Sequence, residues 1–388
     1  MERTLQLLLN KFEEIPASLR QTPDKNLPVS SFKVQLSSLY HHYYLDSFGC
    51  APPDPDPAHF EAVRFLSNSS DFRFAGEGYG LGTLVRRNRS SELGNAFCRC
   101  FLHDHLNITY FARMEDVLDK GMCDPTSEFK IERIHTGDAP DYFCAQSVSR
   151  VCLAEAKGRY SPISFRKKEF NEWRDQFTRV AVRDKAGQQR SVKGYIVATR
   201  WATESDKPSI MSTLYAEDPA TPGERGLEPA EGSPIGQMIV ARHYGRIAEI
   251  LDQPILAAAL MSGSRIPDEL QIVAVVWEVR TGPLAGRRFV GGFFAPRDDY
   301  FPAKQVDDKF IFGSGNPFRL GGSRGTFFGL EEAIFKQIVQ LARRGRNFAG
   351  EVTRFERIQP FYSAFSLLRD GSVLAPLDFF AAVGTVEN

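Results

Sequence analysis

The sequence predicts a mixed α/β fold, in which a helix, three strands, a second helix and a fourth strand follow one another within residues 86–205. Two stretches carry apolar residues at helical spacing, and short apolar runs bounded by glycine, proline or serine lie between and after them. The segment is long enough for one small domain with its own core. Residues 1–85 and 235–388 are predicted to be additional regions, and residues 206–234 a loop or linker.

The first predicted helix lies in RRNRSSELGNAFCRCFLHDHL, which begins at Arg86. Ser90 or Ser91 is the expected N-cap, because a serine hydroxyl can accept a hydrogen bond from the unpaired amides of a first turn. The apolar residues at helical spacing are Leu93, Phe97, Phe101 and Leu106.

Strand-like segments follow this helix. They are ITYFARMEDVL, FKIERIHTG and, third, the stretch DAPDYFCAQSVSRVCLAEAKGRY, in which the runs YFCAQS and VCLAEAK are joined by a short serine-containing turn. A second helix is predicted in SPISFRKKEFNEWRDQFTRVAV, and GYIVATRWA is a continuous apolar run typical of a buried strand. The residues expected on the buried side of the second helix are Phe165, Phe170, Trp173, Phe177 and Val180.

The regions outside this segment carry weaker signals. AEDPATPGERGLEPAEGSP is rich in proline, glycine and glutamate and is predicted to be a solvated loop or linker. Ser233-Pro234 is expected to start a helix that ends near Pro254. QIVAVVWEVR and RRFVGGFF suggest a hairpin, and GLEEAIFKQIVQLARRGR a late helix with acids first and arginines last. We expect residues 235–388 to serve recognition, oligomerisation or regulation, whereas residues 1–85 have no assigned role.

Composition narrows the class of protein only slightly. Lysine plus arginine equals aspartate plus glutamate at 48 each, so the net charge favours no class of partner. No apolar run approaches the ~18 residues of a membrane-spanning helix, and MERTLQLLLNKFEEIP has acids directly after its apolar run, unlike a secretory signal. The six cysteines form no CxxC pair. We therefore expect a soluble cytoplasmic protein with reduced thiols.

Charged side chains lie beside the apolar strands of DAPDYFCAQSVSRVCLAEAKGRY. Successive side chains of a strand alternate faces, so Glu155 and Lys157 project on one face, roughly 7 Å apart. If the two strands of this stretch are antiparallel neighbours, Asp141 lies across from Glu155 or Lys157. Two carboxylates then meet an ammonium, and carboxylate oxygens suit Mg²⁺ or Mn²⁺. The alternative is turn chemistry at Pro140-Asp141 and solvent-facing charge on an edge strand.

Pro140-Asp141 followed by Glu155-Ala156-Lys157 resembles the PD-(D/E)xK signature of the restriction-endonuclease-like nucleases. The order of helix, three strands, helix and strand also resembles the shared core of that family. The resemblance covers about residues 86–205. It implies an αβββαβ core, in which helices flank a mixed central sheet, and metal-dependent hydrolysis of phosphodiester bonds.

The resemblance also implies roles for single residues. Asp141 and Glu155 would bind Mg²⁺ or Mn²⁺ together with the carbonyl of Ala156, and Lys157 would be the catalytic lysine. Family members often add an acid from the first helix, and some carry a glutamine on the second. The matching residues are Glu92 and Gln176.

Basic residues cluster around this predicted site. Eleven lysines and arginines against four acids lie between Lys157 and Lys193, a local balance of +7. Such a cluster is what binding of a phosphate backbone requires, although a solvated helix face accounts for part of it. The residues predicted to contact nucleic acid are Arg86, Arg87, Arg89, Arg159, Arg166, Lys167 and Lys168.

The function expected from the resemblance is a nuclease that acts on DNA rather than RNA, in the context of restriction or anti-phage defence. Two alternatives stay open. The chain is a catalytically silent nucleic-acid-binding or scaffold protein of the same fold, or a nuclease subunit that is active only with a partner or activator. We expect nucleic acid as a partner and no membrane, with a homo-oligomer or protein partner bound through the C-terminal region.

Three further patterns are assigned no site. CxCxxHxH in the first helix suggests zinc, but helix residues two apart point about 200° apart and cannot converge. IPDELQIVAVVWEVR echoes the nuclease motif with arginine in place of lysine, and arginine does not readily release a proton. Residues 313–325 are glycine-rich and basic but lack the lysine of a phosphate-binding loop, as does GEGYGLG.

Overall fold

A computed structural model of the chain describes residues 2–49, 55, 60–80, 82–118, 129–223, 225–227, 229–294, 303–306, 309–312, 325–345, 351–356, 358 and 361–387. The predicted glycine-rich loop at 313–325 lies outside these residues except for Gly325.

The helices of the described residues are α1 (Leu36–Ser47), α2 (Glu61–Arg64), α3 (Thr83–Leu106), α4 (Met114–Leu118), α5 (Lys168–Gln176), α6 (Pro229–Ile250), α7 (Pro254–Ser262) and α8 (Glu332–Arg344). Short 3₁₀ helices lie at Ala17–Leu19, Phe177–Arg179 and Leu377–Phe379. None of the described helices is both long enough and apolar enough to cross a membrane.

The strands are β1 (Glu2–Asn10), β2 (Arg20–Thr22), β3 (Lys25–Pro28), β4 (Ser31–Gln35), β5 (Arg73–Phe74), β6 (Tyr110–Arg113), β7 (Phe129–Arg133), β8 (Tyr142–Ser147), β9 (Arg150–Arg159), β10 (Val180–Asp184), β11 (Gln189–Ser191), β12 (Gly194–Arg200), β13 (Ala202–Thr203), β14 (Thr213–Glu217), β15 (Arg225–Gly226), β16 (Val273–Val279), β17 (Arg288–Phe294), β18 (Ala303–Val306), β19 (Lys309–Phe312), β20 (Thr326–Glu331), β21 (Ser366–Leu367), β22 (Ser372–Pro376) and β23 (Phe380–Glu387).

The largest sheet has seven strands in the order β4-β1-β14-β12-β9-β8-β6. It is mixed, because β9 runs parallel to β12 but antiparallel to β8, and β1 and β14 form a second parallel pair. Six of the seven residues of β12 are buried, which explains the continuous apolar run in its sequence. The prediction of a mixed α/β fold is confirmed.

Helices cover both faces of this sheet at β9. A Cβ on Gly158 would lie 1.8 Å from a backbone oxygen of α3, so that helix packs directly on the Gly158 face. On the other face, Arg174 of α5 pairs with Glu217 of β14. In the registers of the ladder, Glu217 lies opposite Ile196, and Ile196 lies opposite Glu155. Glu155 therefore projects on the side of α5, because residues opposite one another in a ladder share a face.

The C-terminal part adds a second sheet of six strands, in the order β21-β22-β20-β17-β16-β23. The predicted hairpin is confirmed by the antiparallel pair β16 and β17. The late helix is confirmed as α8, whose N-cap Glu331 accepts a hydrogen bond from the Ile334 amide at 3.0 Å. One hydrophobic core includes residues from Leu5 to Val386, so the two sheets share it.

The predicted boundaries of both helices within residues 86–205 were wrong. α3 begins at Thr83, with Gly82 as N-cap at φ 83°, and not after Ser90 or Ser91. The Ser90 hydroxyl instead donates to the Arg87 carbonyl inside the helix. The second helix was expected to include Phe165 and Val180, but α5 spans only Lys168–Gln176, and Val180 opens β10.

Three other segments differ from their predictions, two of them through long-range strand pairing. FKIERIHTG contains β7, which pairs with β10 in a separate four-stranded sheet and not in the central one. Residues 206–234 were predicted to be a loop or linker, but Thr213–Glu217 is a strand inside the central sheet. α6 begins at Pro229, so the expected start at Ser233-Pro234 was wrong and Pro234 lies within the helix.

Candidate active site

The motif residues lie where β8 and β9 meet. The two strands are antiparallel, and Tyr142 lies opposite Ala154. One step further along the same register, Asp141 faces Glu155 across the ladder. The structure therefore brings Asp141 opposite Glu155, which is one of the two pairings expected if the strands are antiparallel neighbours.

Short contacts join the three charged side chains. Lys157 Nζ lies 3.9 Å from Asp141 Oδ2 and is in closer contact with Glu155 Oε1. Asp141 Oδ2 also accepts a hydrogen bond from the Ala156 amide at 2.7 Å. The Asp141 carbonyl accepts one from the Met114 amide at 2.9 Å. Backbone groups on two sides therefore hold Asp141 in place beside Glu155 and Lys157.

Burial differs sharply within this group. Glu155 is fully buried, whereas the side chains of Asp141 and Lys157 are 33% and 29% exposed. Burial, followed by the neighbouring Asp141, raises the pKa of Glu155 well above its ordinary value, and Lys157 opposes this only in part. Solvent and substrate can thus reach the group from the side of Asp141 and Lys157.

Lys157 is protonated at neutral pH. Its own burial disfavours the charged form, but the carboxylates of Glu155 and Asp141 outweigh that cost and raise the pKa of Lys157 above its ordinary value. An ammonium donates hydrogen bonds and has no lone pair with which to accept a proton. Lys157 is therefore suited to orienting a water or a phosphate oxygen, and not to removing a proton.

The donor set fits a hard divalent cation. The buried carboxylate of Glu155 contacts Lys157 through Oε1, and its Oε2 has no hydrogen-bond partner among the described residues, so one oxygen remains for a metal ion. The described residues contain no group of three or more His, Cys, Asp or Glu side chains that could hold a metal ion. Two carboxylates are nevertheless enough for Mg²⁺, which usually keeps several waters and takes further oxygens from substrate phosphates.

The two additional residues implied by the resemblance do not contact this group through any described interaction. Glu92 lies on α3 and pairs with Arg89 at 3.3 Å, and Arg89 also reaches Glu61. Gln176 ends α5, which packs on the same face of the sheet as Glu155. It is buried, and its carbonyl oxygen has no hydrogen-bond partner among the described residues.

The predicted nucleic-acid-binding residues are of two kinds. Four are engaged in ion pairs with acids at or near the surface, namely Arg86 with Glu77, Arg89 with Glu61 and Glu92, Arg159 with Glu169, and Lys168 with Glu172. The other three are exposed and have no ion pair among the described residues, namely Arg87, Arg166 and Lys167. Surface pairs contribute only about 0–1 kcal/mol each, so a phosphate can compete for the paired cations.

Asp46 supports the site from α1 and was missed in the sequence. Its carboxylate accepts a hydrogen bond from the Tyr142 hydroxyl at 2.8 Å and pairs with Arg99 at 3.3 Å. It thereby holds the first residue of β8, next to Asp141. No local signal could reveal this contact, because 96 positions separate the two residues in the sequence.

The patterns that were assigned no site have other partners in the structure. In the cysteine-histidine pattern, Cys98 is fully buried, the His103 ring contacts Asp104 and the Arg369 amide, and the His105 ring contacts Ser18. In IPDELQIVAVVWEVR, the segment that echoes the nuclease motif, Glu278 pairs with Arg280 and Arg288.

Comparison with known proteins identifies no relative. No family model matches the chain, no curated protein is significantly similar to it, and no solved structure matches its fold significantly.

Proposed function

We propose that this protein is a divalent-metal-dependent nuclease that hydrolyses phosphodiester bonds, with DNA rather than RNA as substrate. One observation carries the proposal: Asp141, Glu155 and Lys157 meet at one point between β8 and β9. A structural ion pair between Lys157 and Asp141 does not require a second, fully buried carboxylate beside it, and burying that carboxylate costs free energy that a functional role would explain.

The surroundings of these residues support the proposal. α3, β6, β8, β9, α5 and β12 occur along the chain in the order of the nuclease core that the sequence resembles, with α4, β7, β10 and β11 inserted between them. β6, β8, β9 and β12 are also consecutive neighbours in the central sheet. The restriction or anti-phage context rests on the resemblance alone and is part of the same proposal.

The roles of the residues follow from their geometry. Asp141 and Glu155 would hold Mg²⁺ or Mn²⁺, which when bound stabilises negative charge on the phosphate under attack and lowers the pKa of a bound water. Lys157 keeps its positive charge and donates hydrogen bonds to the water or to a phosphate oxygen. Arg159 lies on the same face of β9 as Lys157, next along the strand, and is placed to contact the phosphate backbone.

The cleavage of supercoiled plasmid in Mg²⁺ or Mn²⁺ tests the proposal. We expect wild-type protein to nick or cut the DNA and EDTA to stop it. Asp141→Asn, Glu155→Gln and Lys157→Met should each lower the rate at least about a hundredfold, because each removes a group that acts on the developing charge. Glu278→Gln is the matched control, since it changes an acid of the unassigned echo motif, and should cleave like wild type.

Other results distinguish the alternatives. Gel-shift binding of DNA without cleavage by wild-type protein, at any concentration of either metal, would favour the silent binding protein. Cleavage that appears only when a cell extract is added, and that Asp141→Asn abolishes, would favour the partner-dependent subunit. Undiminished cleavage by all three variants would refute the site.

A further inference from the structure

A second charged site lies on the other face of the central sheet. The end of α1, α3, β6 and α6 enclose a cavity of about 100 Å³. The Asp46 carboxylate in its wall bonds Tyr142, which shares its face of the sheet with Ala154 and not with Glu155. The cavity and the candidate active site are therefore on opposite sides of β8. The charged residues that line the cavity are Arg99, Arg113, Arg242, Arg246, Asp46 and Asp116.

Acids pair with three of the four arginines of this lining. Asp46 pairs with both Arg99 at 3.3 Å and Arg113 at 3.6 Å, and Arg113 also pairs with Glu115 at 3.3 Å. Arg246 pairs with Asp116 at 2.8 Å and with Glu249 at 2.9 Å.

Arg242 is the cation without an acid. It is only 2% exposed, and the described residues place no carboxylate within ion-pair distance of it. Among the described residues, its Nη1 contacts the sulfur of Met261 and its Nη2 has no hydrogen-bond partner. Burial lowers the pKa of Arg242 to about 10, with nearby Asp116 opposing the shift and Arg246 adding to it. Arg242 therefore stays charged at neutral pH, and a buried unpaired charge is costly.

We infer that this arginine pocket binds a phosphoryl group. A phosphate would supply the negative charge that Arg242 lacks, and guanidinium forks suit its oxygens. The cavity has room for the phosphoryl group but not for a nucleoside. The side chains of Arg113 and Arg246 are 41% and 34% exposed, so the pocket opens between them and the rest of an ester would extend into solvent.

This inference does not depend on the proposed nuclease function. The pocket shares no residue with the group of Asp141, Glu155 and Lys157, and phosphate binding can be measured without DNA or a divalent metal.

The test is thermal unfolding of the full chain in inorganic phosphate, adenosine monophosphate, acetate or chloride at constant ionic strength. We expect a saturable rise of the unfolding midpoint with phosphate or the nucleotide, and none with acetate or chloride. The tighter of the two phosphoryl ligands shows whether the pocket takes the free ion or an ester. Arg242→Gln should weaken the affinity at least about tenfold, because it removes a charge-assisted hydrogen bond.

Two further variants distinguish a loss of phosphate binding from a folding defect. Arg246→Gln changes a partly exposed residue at the mouth and should also weaken the affinity. Arg343→Gln is the matched control, because Arg343 also has one buried guanidinium nitrogen, its Nε, without a partner among the described residues, but it lies outside the pocket. This variant should bind phosphate like wild type. The absence of a saturable shift, an equal shift with acetate, or unchanged affinity in both pocket variants would overturn the inference.

Discussion

At the scale of single residues, Glu155 is the member of the candidate site whose burial as a charged group costs free energy. This carboxyl is fully buried, and burial together with Asp141 raises its pKa. Functional sites often contain buried ionisable groups of this kind, because the chemistry of the site requires them although the stability of the fold does not. Stability and activity should therefore respond in opposite directions when Glu155 is neutralised.

Glu155→Gln should make the protein more stable above neutral pH. Because the pKa of Glu155 is raised in the folded state, the folded protein holds more protons than the unfolded chain between the ordinary value and the raised one. Wild-type stability therefore falls as pH rises through that window, and the variant lacks this fall. We expect a gain of about 1–3 kcal/mol in the free energy of unfolding at about pH 8, shrinking toward about pH 5.

Urea denaturation at several pH values measures this difference. Glu172→Gln is the control, because that side chain is 57% exposed, and its stability should stay within about 0.5 kcal/mol of wild type. A variant less stable than wild type at every pH would mean that the contact between Glu155 and Lys157 outweighs the cost of burial.

At the scale of elements, the contact between α3 and β9 positions the site. Gly94 on α3 and Gly158 on β9 approach so closely that a Cβ on either would clash with the backbone of the other element. Gly158 follows Lys157 directly, so this packing fixes the end of the strand that carries Glu155 and Lys157.

Gly158→Ala should force the helix and the strand apart. The new Cβ would lie 1.8 Å from a backbone oxygen, and backbone cannot yield as a flexible side chain can. We expect a loss of at least about 2 kcal/mol in the free energy of unfolding, together with weaker cleavage. Gly226→Ala is the matched control, since a Cβ at that position would meet no atom of the other described residues within 4 Å. Equal stability of the two variants in chemical denaturation would contradict the close packing.

Elements with a strong local pattern were predictable, and those that depend on pairing were not. The alternation in VCLAEAK identified the face that Glu155 and Lys157 share, and the apolar run of β12 identified a buried strand. Nothing in FKIERIHTG indicates that β7 pairs with β10 outside the central sheet, because strand partners are chosen by distant segments.

At the scale of the whole molecule, the central sheet draws on three separated parts of the chain. β1 and β4 come from the predicted N-terminal region and β14 from the predicted linker, and β14 lies between β1 and β12. The segment that resembles a nuclease core is therefore only the middle of a larger sheet.

A fragment of residues 86–205 should not fold by itself. It lacks β14, so buried Ile196 and Val197 of β12 would lie on an open strand edge, and it lacks Asp46, which holds Tyr142. We expect no cooperative thermal transition and rapid amide exchange in the fragment, with the full chain as reference. A sharp transition with protected amides in β9 and β12 would show that the segment is an independent domain.

The local sequence pattern by itself predicted the main features of the site. These are a Pro-Asp before one strand, an acid and a lysine on one face of the next strand, and helices before and after. These follow from the sequence because strand alternation and helical spacing are properties of neighbouring residues. Only the tertiary structure decided that Asp46 holds β8, that Arg89 pairs with Glu61, and that four arginines converge around one cavity. Those contacts join segments that are distant in the sequence. The charges and partners of these residues depend on burial and pairing across the fold, which no local pattern encodes.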